Sequence, residues 1–188
     1  MLLLILGVLI WSIVHLFPSM MPAQRNALYA QYGKTYEGIY ALKIVIALIF
    51  IVIGWRMAMP TQIYNPPVWG RHITMLLVLV AIILFAAAKG NSRIRQYIRH
   101  PMLTGVAVWA VGHLLANGDS RSVVLFGGLL IWSIVNQFTI NRRDGAWVKP
   151  AVGTMKGEVI MLVASVVVYG VLLFLHPYFT GMPVIVHH

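Results

Sequence analysis

Seven histidines hold most of the chemical vocabulary of this chain, against only four Asp and Glu residues and no Cys. Without Cys there is no disulfide, no thiolate metal site and no cysteine nucleophile. HExxH does not occur, and no two histidines stand three or four residues apart, which weakens a zinc reading. The apolar runs hold neither paired carboxylates nor a Ser-His-Asp set, so hydrolysis has no evident machinery.

Two histidines stand inside apolar sequence, where an ionisable side chain is a functional hypothesis by default. His113 lies in the stretch Arg99 to Asp119, RHPMLTGVAVWAVGHLLANGD, with Trp109, Ala110, Ala116 and Asn117 as helical neighbours. His15 follows Trp11 and Ser12, one turn back on the same helical face. Each has a plain structural role open to it, as an interfacial ring or as a packing residue bonded to a carbonyl of another helix. The functional role is that of a ligand or proton carrier.

Imidazole is a good ligand for haem iron, and a neutral ring bound to metal needs no counter-charge. Small and apolar walls suit a porphyrin, and Gly105, Trp109 and Gly112 fall along one ridge with Val106 and Ala110 beside it. Ser12 and Asn117 are placed by spacing to accept the second ring N–H of a ligating His. Depth sets a condition on this pairing. At 1.5 Å per residue His15 falls about 4 to 5 Å to one side of the midplane and His113 about 6 Å to the other, roughly 10 Å apart.

The remaining histidines read more simply. His100 belongs to an Arg99-His100-Pro101 corner, with Pro101 suited to the first turn of a helix. It falls about 140° around the helix from His113, so the two do not share a site. His72 and His176 lie near helix ends, where an amphipathic ring at the interface is expected, and His187 and His188 are given no role.

The elements that must position His15 and His113 follow from composition. The chain is 60% hydrophobic and 10% charged over 188 residues, far from the roughly one quarter charged of a soluble domain. Six apolar runs of membrane-spanning length can be marked: Leu2 to Met20, Gly38 to Ala58, Val68 to Ala88, Pro101 to Ala116, Ser122 to Phe138 and Glu158 to Tyr178. The fourth is the shortest. None alternates with period two, so lipid-exposed backbone requires helices rather than a barrel. Loops are expected at Pro18 and Pro22, at Pro60 to Pro67, at Lys89-Gly90-Asn91, at Asn117-Gly118-Asp119 and from Asp144 to Pro150. The expectation is a single all-α domain over residues 1–188, a polytopic membrane helix bundle of about six transmembrane helices.

The net charge of +10 is placed as the positive-inside rule places it. Ten cations fall in loops after runs one, three and five: Arg25, Lys34, Lys89, Arg93, Arg95, Arg99, Arg142, Arg143, Lys149 and Lys156. Only Arg56, Arg71 and Arg121 fall on the other side, and Lys43 can snorkel from within run two. The ten-rich side is therefore expected to be cytoplasmic, with both termini on the non-cytoplasmic side. No basic face interleaved with aromatics emerges, which argues against nucleic acid as a partner. The N-terminal run lacks the positive n-region and cleavage site of a signal peptide and reads as a retained first helix.

The block HPMLTGVAVWAVGHLLANGD, the early His in IVHLFPSMMPAQR and the closing FLHPYFTG resemble the NnrU family of bacterial membrane proteins. The resemblance covers most of the chain. That family is related to the zeta-carotene isomerase, and the resemblance implies a b-type haem held by two histidines that map onto His15 and His113. The isomerase carries a Cys three residues before the second His; Ala110 stands there here, which puts chemistry through a sulphur ligand in doubt. The resemblance further implies the bacterial inner membrane, a link to nitrogen-oxide metabolism, and a redox, sensing or isomerase-like role with an apolar substrate or a respiratory redox partner.

Two other classes compete. Arg99-His100-Pro101 followed by Gly105 is similar to the element with which integral membrane methyltransferases hold S-adenosylmethionine, but the pair of Glu residues those enzymes carry after a later helix is missing from NRRDGAWVKP. A non-catalytic accessory subunit of a respiratory reductase is the other, distinguished by co-purification with a partner and no turnover alone.

Overall fold

A computed structural model describes residues 1–181 and 184, so His187 and His188 lie outside the described residues. Seven helices follow in order: α1 (Leu2–Met20), α2 (Pro22–Tyr32), α3 (Lys34–Met57), α4 (Gly70–Ala87), α5 (Pro101–Ala116), α6 (Ser120–Asp144) and α7 (Met155–Thr180). A 3-10 turn, Arg93–Gln96, lies between α4 and α5. No strand forms among the described residues; one antiparallel bridge joins Gln62 to Asp119. Helices α1, α3, α4, α6 and α7 are long and apolar enough to cross a membrane. Helix α5, with 16 residues, covers about 24 Å and is the shortest apolar helix, as its sequence run implied.

The helix α2 was not anticipated. Pro18 sits inside the last turn of α1 rather than ending it, and Pro22 opens α2 at a position where its missing N–H is no loss. Gly33, at φ 51°, turns the chain into α3, which begins four residues earlier than the apolar run because Lys34 and Glu37 form a polar first turn.

Lipid tails are as apolar as Leu, so helices in a membrane associate by close packing and inter-helix hydrogen bonds rather than by the hydrophobic effect. Small residues mark the closest approaches here. Gly7 of α1 receives Ile51 and Ala47 of α3, and Gly54 of α3 lies against the backbone of Leu3 and Leu4. Gly105 and Gly112 of α5 receive Phe85 and Leu77 of α4, and Thr74 of α4 donates its hydroxyl to the Gly112 carbonyl. Helix α6 joins these two pairs, touching α1 on one side and α5 on the other, and α7 rests on α4.

Side-chain hydrogen bonds sort the loops into two ends. His100 meets Asn141, Arg143 reaches the Pro18 carbonyl, Ser92 donates to Glu158 and Gln96 to the Pro150 carbonyl, which gathers the cation-rich segments at one end. At the other, Ser120 meets Thr61 and Tyr64 donates to the Leu114 and Asn117 carbonyls, tying the α3–α4 loop to the α5–α6 turn.

Helix α6 is irregular where the site forms. Asp119 caps its start, accepting from Arg121 N at 3.0 Å and Ser122 N at 3.2 Å. Val123–Gly127 then takes a π-helical turn, a widening that recurs at functional sites. Phe126 is carried on that turn.

Candidate functional site

His113 sits one turn before the end of α5. A carbonyl oxygen only accepts, so the 2.9 Å contact between His113 Nδ1 and the Trp109 carbonyl places the ring proton on Nδ1. The neutral ring then presents Nε2 as a lone pair. Phe126 stacks on the imidazole at 4.4 Å between centroids and 23° between planes, and Trp109 closes the other flank at 4.9 Å. Trp109 also meets Phe126 edge-on at 4.9 Å, so three rings from two helices hold one another.

His15 repeats the arrangement on α1. Its Nδ1 donates to the Trp11 carbonyl at 2.8 Å, its ring lies 4.1 Å from Trp11, and Trp132 of α6 meets it edge-on at 5.3 Å. Tyr40 of α3 stands at 6.2 Å. Both histidines therefore follow one pattern, Trp-x-x-x-His. The Trp carbonyl sets the tautomer and an aromatic side chain of α6 backs the ring.

This changes the roles expected for Ser12 and Asn117. The Ser12 hydroxyl donates to its own helix at Val8, 2.7 Å away, and the Asn117 amide donates to the His113 carbonyl at 3.0 Å. Neither accepts from a histidine ring; the acceptors are the main-chain carbonyls of Trp11 and Trp109. A helix offers its i−4 carbonyl to a side chain without needing a second residue, which is why spacing of polar side chains alone misassigned the partner. Asn117 instead ends α5. Ala110 is fully buried, and the ridge of Gly105, Trp109 and Gly112 divides, the glycines facing α4 while Trp109 turns to α6.

The two histidines are not side by side. Along α6, Trp132 marks the level of His15 and Phe126 the level of His113, six residues or about 9 Å apart. Leu129 lies between those two residues on α6, in an apolar cluster with Leu103 and Trp132 against which Trp11, Val106, Trp109 and Leu125 pack. No ring contact joins His15 to His113 among the described residues. His176 lies near the end of α7, its Nδ1 3.2 Å from the Thr180 hydroxyl.

Two neutral imidazoles, each with its Nδ1 held by a carbonyl and an aromatic side chain beside it, are donors of the type that haem iron accepts. No group of three or more His, Asp or Glu residues is assembled for a metal ion among the described residues.

At the Arg99-His100-Pro101 corner, side chains tie the segment before α5 to the end of α6. Arg99 donates to the Gly145 carbonyl at 2.8 Å, and His100 Nε2 meets Asn141 Oδ1 at 2.8 Å. Nearby carboxylates are engaged, Asp144 with Arg143 and Glu158 with Ser92 and the Arg93 N–H, so the acidic half of a methyltransferase site stays missing.

Fold and composition together define a multi-pass helical membrane protein. The chain belongs to the NnrU family, whose model, described as NnrU protein, matches residues 3–184. Comparison with curated proteins and with solved structures finds no match.

Proposed function

We propose that this chain is a haem b protein of the bacterial inner membrane, with His15 and His113 as the two imidazoles offered to the iron. One observation carries the reading: each ring is held by its Nδ1 proton to the carbonyl of a Trp one turn earlier, leaving Nε2 for a ligand. Helices α1 and α5 contain no acid, which suits ligation by neutral rings. The resemblance to haem-binding relatives of the NnrU family supports the same two positions.

When bound, haem supplies a one-electron couple. The chain's own residues do the rest. The Trp11 and Trp109 carbonyls fix the tautomers, Trp132 and Phe126 limit how each ring can rotate, and the apolar cluster of Leu103, Leu129 and Trp132 packs beside them. Ligation by both histidines would leave no open position for a substrate, which favours electron transfer or sensing with a respiratory redox partner. Ala110, in place of the isomerase's Cys, agrees with that; isomerase-like turnover on an apolar substrate would require one histidine to leave. The link to nitrogen-oxide metabolism rests on the family resemblance.

The test is an absorption spectrum of detergent-purified protein expressed with ample haem supply. Wild type is expected to show a Soret band that His15→Ala and His113→Ala each largely abolish, while His72→Ala keeps it. A colourless wild type overturns the proposal.

A further inference from the structure

The Arg99-His100-Pro101 corner lines a cavity of about 340 Å³ that the haem reading does not use. Its walls are Arg95, Arg99 and His100 from the segment before α5 and Asp144, Ala146, Trp147, Val148 and Pro150 from the end of α6 and the loop after it. The walls are tied in place. Gln96 donates to the Pro150 carbonyl at 2.7 Å and Arg99 to the Gly145 carbonyl at 2.8 Å, so the α6–α7 loop is fastened to the segment before α5 at two points.

The charge in this cavity is not balanced. Asp144 is its one acid, and Arg143 holds that carboxylate through two contacts, at 2.6 and 3.2 Å. Arg95 and Arg99 are half-buried and have no carboxylate partner among the described residues. Among the described residues each makes one hydrogen bond, Arg95 to the Gly90 carbonyl and Arg99 to the Gly145 carbonyl, so most of the five donors of each guanidinium remain. Outside the lining, the Lys149 ammonium lies 5.5 Å from the Trp147 ring centre.

A second cavity of about 460 Å³ makes the comparison. There Arg143 is taken up by Asp144, and Arg25 bonds Asn26 and lies over Tyr29. In the first cavity the one acid is bonded to Arg143, and no carboxylate lies within 4 Å of Arg95 or Arg99 among the described residues.

We infer that the cavity bounded by Arg95, Arg99, His100 and Trp147 binds a phosphate ester. Planar guanidiniums match phosphate oxygens bidentately, and basic pockets between membrane helices receive anionic lipid headgroups in this way. Val148, 88% exposed at the rim, gives the mouth an apolar edge where acyl chains of a lipid would leave. A soluble phosphorylated molecule offers the same chemistry from the aqueous side.

The experiment is native mass spectrometry of detergent-purified protein titrated separately with dioleoylphosphatidylglycerol and with glycerol 3-phosphate. Dioleoylphosphatidylcholine gives the background. The lipid is expected to bind wild type at least tenfold tighter than the Arg95→Gln/Arg99→Gln protein, at about tenfold for each charge-assisted contact removed. Arg95→Lys/Arg99→Lys, which keeps both charges, should recover part of the loss. Arg95→Gln alone, which gives up only the bond to Gly90, serves if the double variant is unfolded by circular dichroism. The same Arg dependence with glycerol 3-phosphate but not the lipid assigns the site to a soluble ligand. Equal binding of both probes by wild type and the charge-removed protein overturns the inference.

Discussion

Each Trp-x-x-x-His turn carries its own orienting acceptor, and that has consequences for single residues. A carbonyl cannot be removed by side-chain substitution, so ring orientation should survive changes nearby. Ser12→Ala is expected to leave the Soret band of the haem-loaded protein in place, because the hydroxyl serves Val8 and not His15. Asn117→Ala should also keep the band while lowering thermal stability by about 1 kcal/mol, through loss of its bond to the His113 carbonyl. Phe126→Ala is the damaging change at this scale. It removes the ring stacked on His113 and opens a cavity on the π-helical turn, with an expected cost of about 3 kcal/mol, read by thermal unfolding followed by circular dichroism.

Helix pairing rests on a few contacts where a single carbon matters. At Gly54 a Cβ would run into the backbone of Leu3 and Leu4, which cannot move without moving α1. At Gly105 it would meet the Phe85 ring at 2.7 Å, and a side chain can turn away. At Gly38 nothing lies within 4 Å. Thermal midpoints should therefore fall most for Gly54→Ala, by the equivalent of about 1 to 3 kcal/mol, less for Gly105→Ala, and rise for Gly38→Ala through better helix propensity.

The start of α6 adds a pH dependence. Burial works to raise the Asp119 carboxyl, but the Ser122 hydroxyl and N–H and the charge and N–H of Arg121 outweigh it, holding the group below the usual carboxylate range. A depressed value means that the cap stabilises the fold above the ordinary carboxylate pKa. That contribution is lost as pH falls through the lower folded value. Acidification below about pH 4 should loosen the α5–α6 turn, and Asp119→Ala should remove that pH sensitivity together with about 1 kcal/mol of capping. Hydrogen exchange at Arg121 and Ser122 would read both.

For the molecule as a whole, the two ends differ in charge as a membrane protein's two faces do. The absence of Cys makes the orientation testable with single cysteines. Tyr97, 85% exposed at the cation-rich end, and Val68, 96% exposed at the opposite end, are suitable positions. An impermeant maleimide added to intact spheroplasts is expected to label Val68→Cys, and to label Tyr97→Cys only after permeabilisation, following the positive-inside rule.

Much of this arrangement was legible along the chain. Six apolar runs, the loops between them, and His15 and His113 as rings inside apolar sequence all follow from hydropathy, which is a local property of consecutive residues. Even the offset in depth could be estimated, since 1.5 Å per residue holds within any helix, and the spacing of Trp132 and Phe126 on α6 returns nearly the same figure. The short helix α2 escaped notice because it is polar and bounded by proline and glycine, which also mark loops.

What only the tertiary structure decided is which residues of other helices meet each histidine. Phe126 beneath His113 and Trp132 and Tyr40 around His15 depend on helix azimuth and on which helices are neighbours. Those are fixed by close approaches such as Gly7 to Ile51 and by bonds such as Ser19 to Asn136, between positions far apart in sequence. A pattern of apolar residues says that a helix spans the membrane; in lipid every face is apolar, so it does not say which face turns inward.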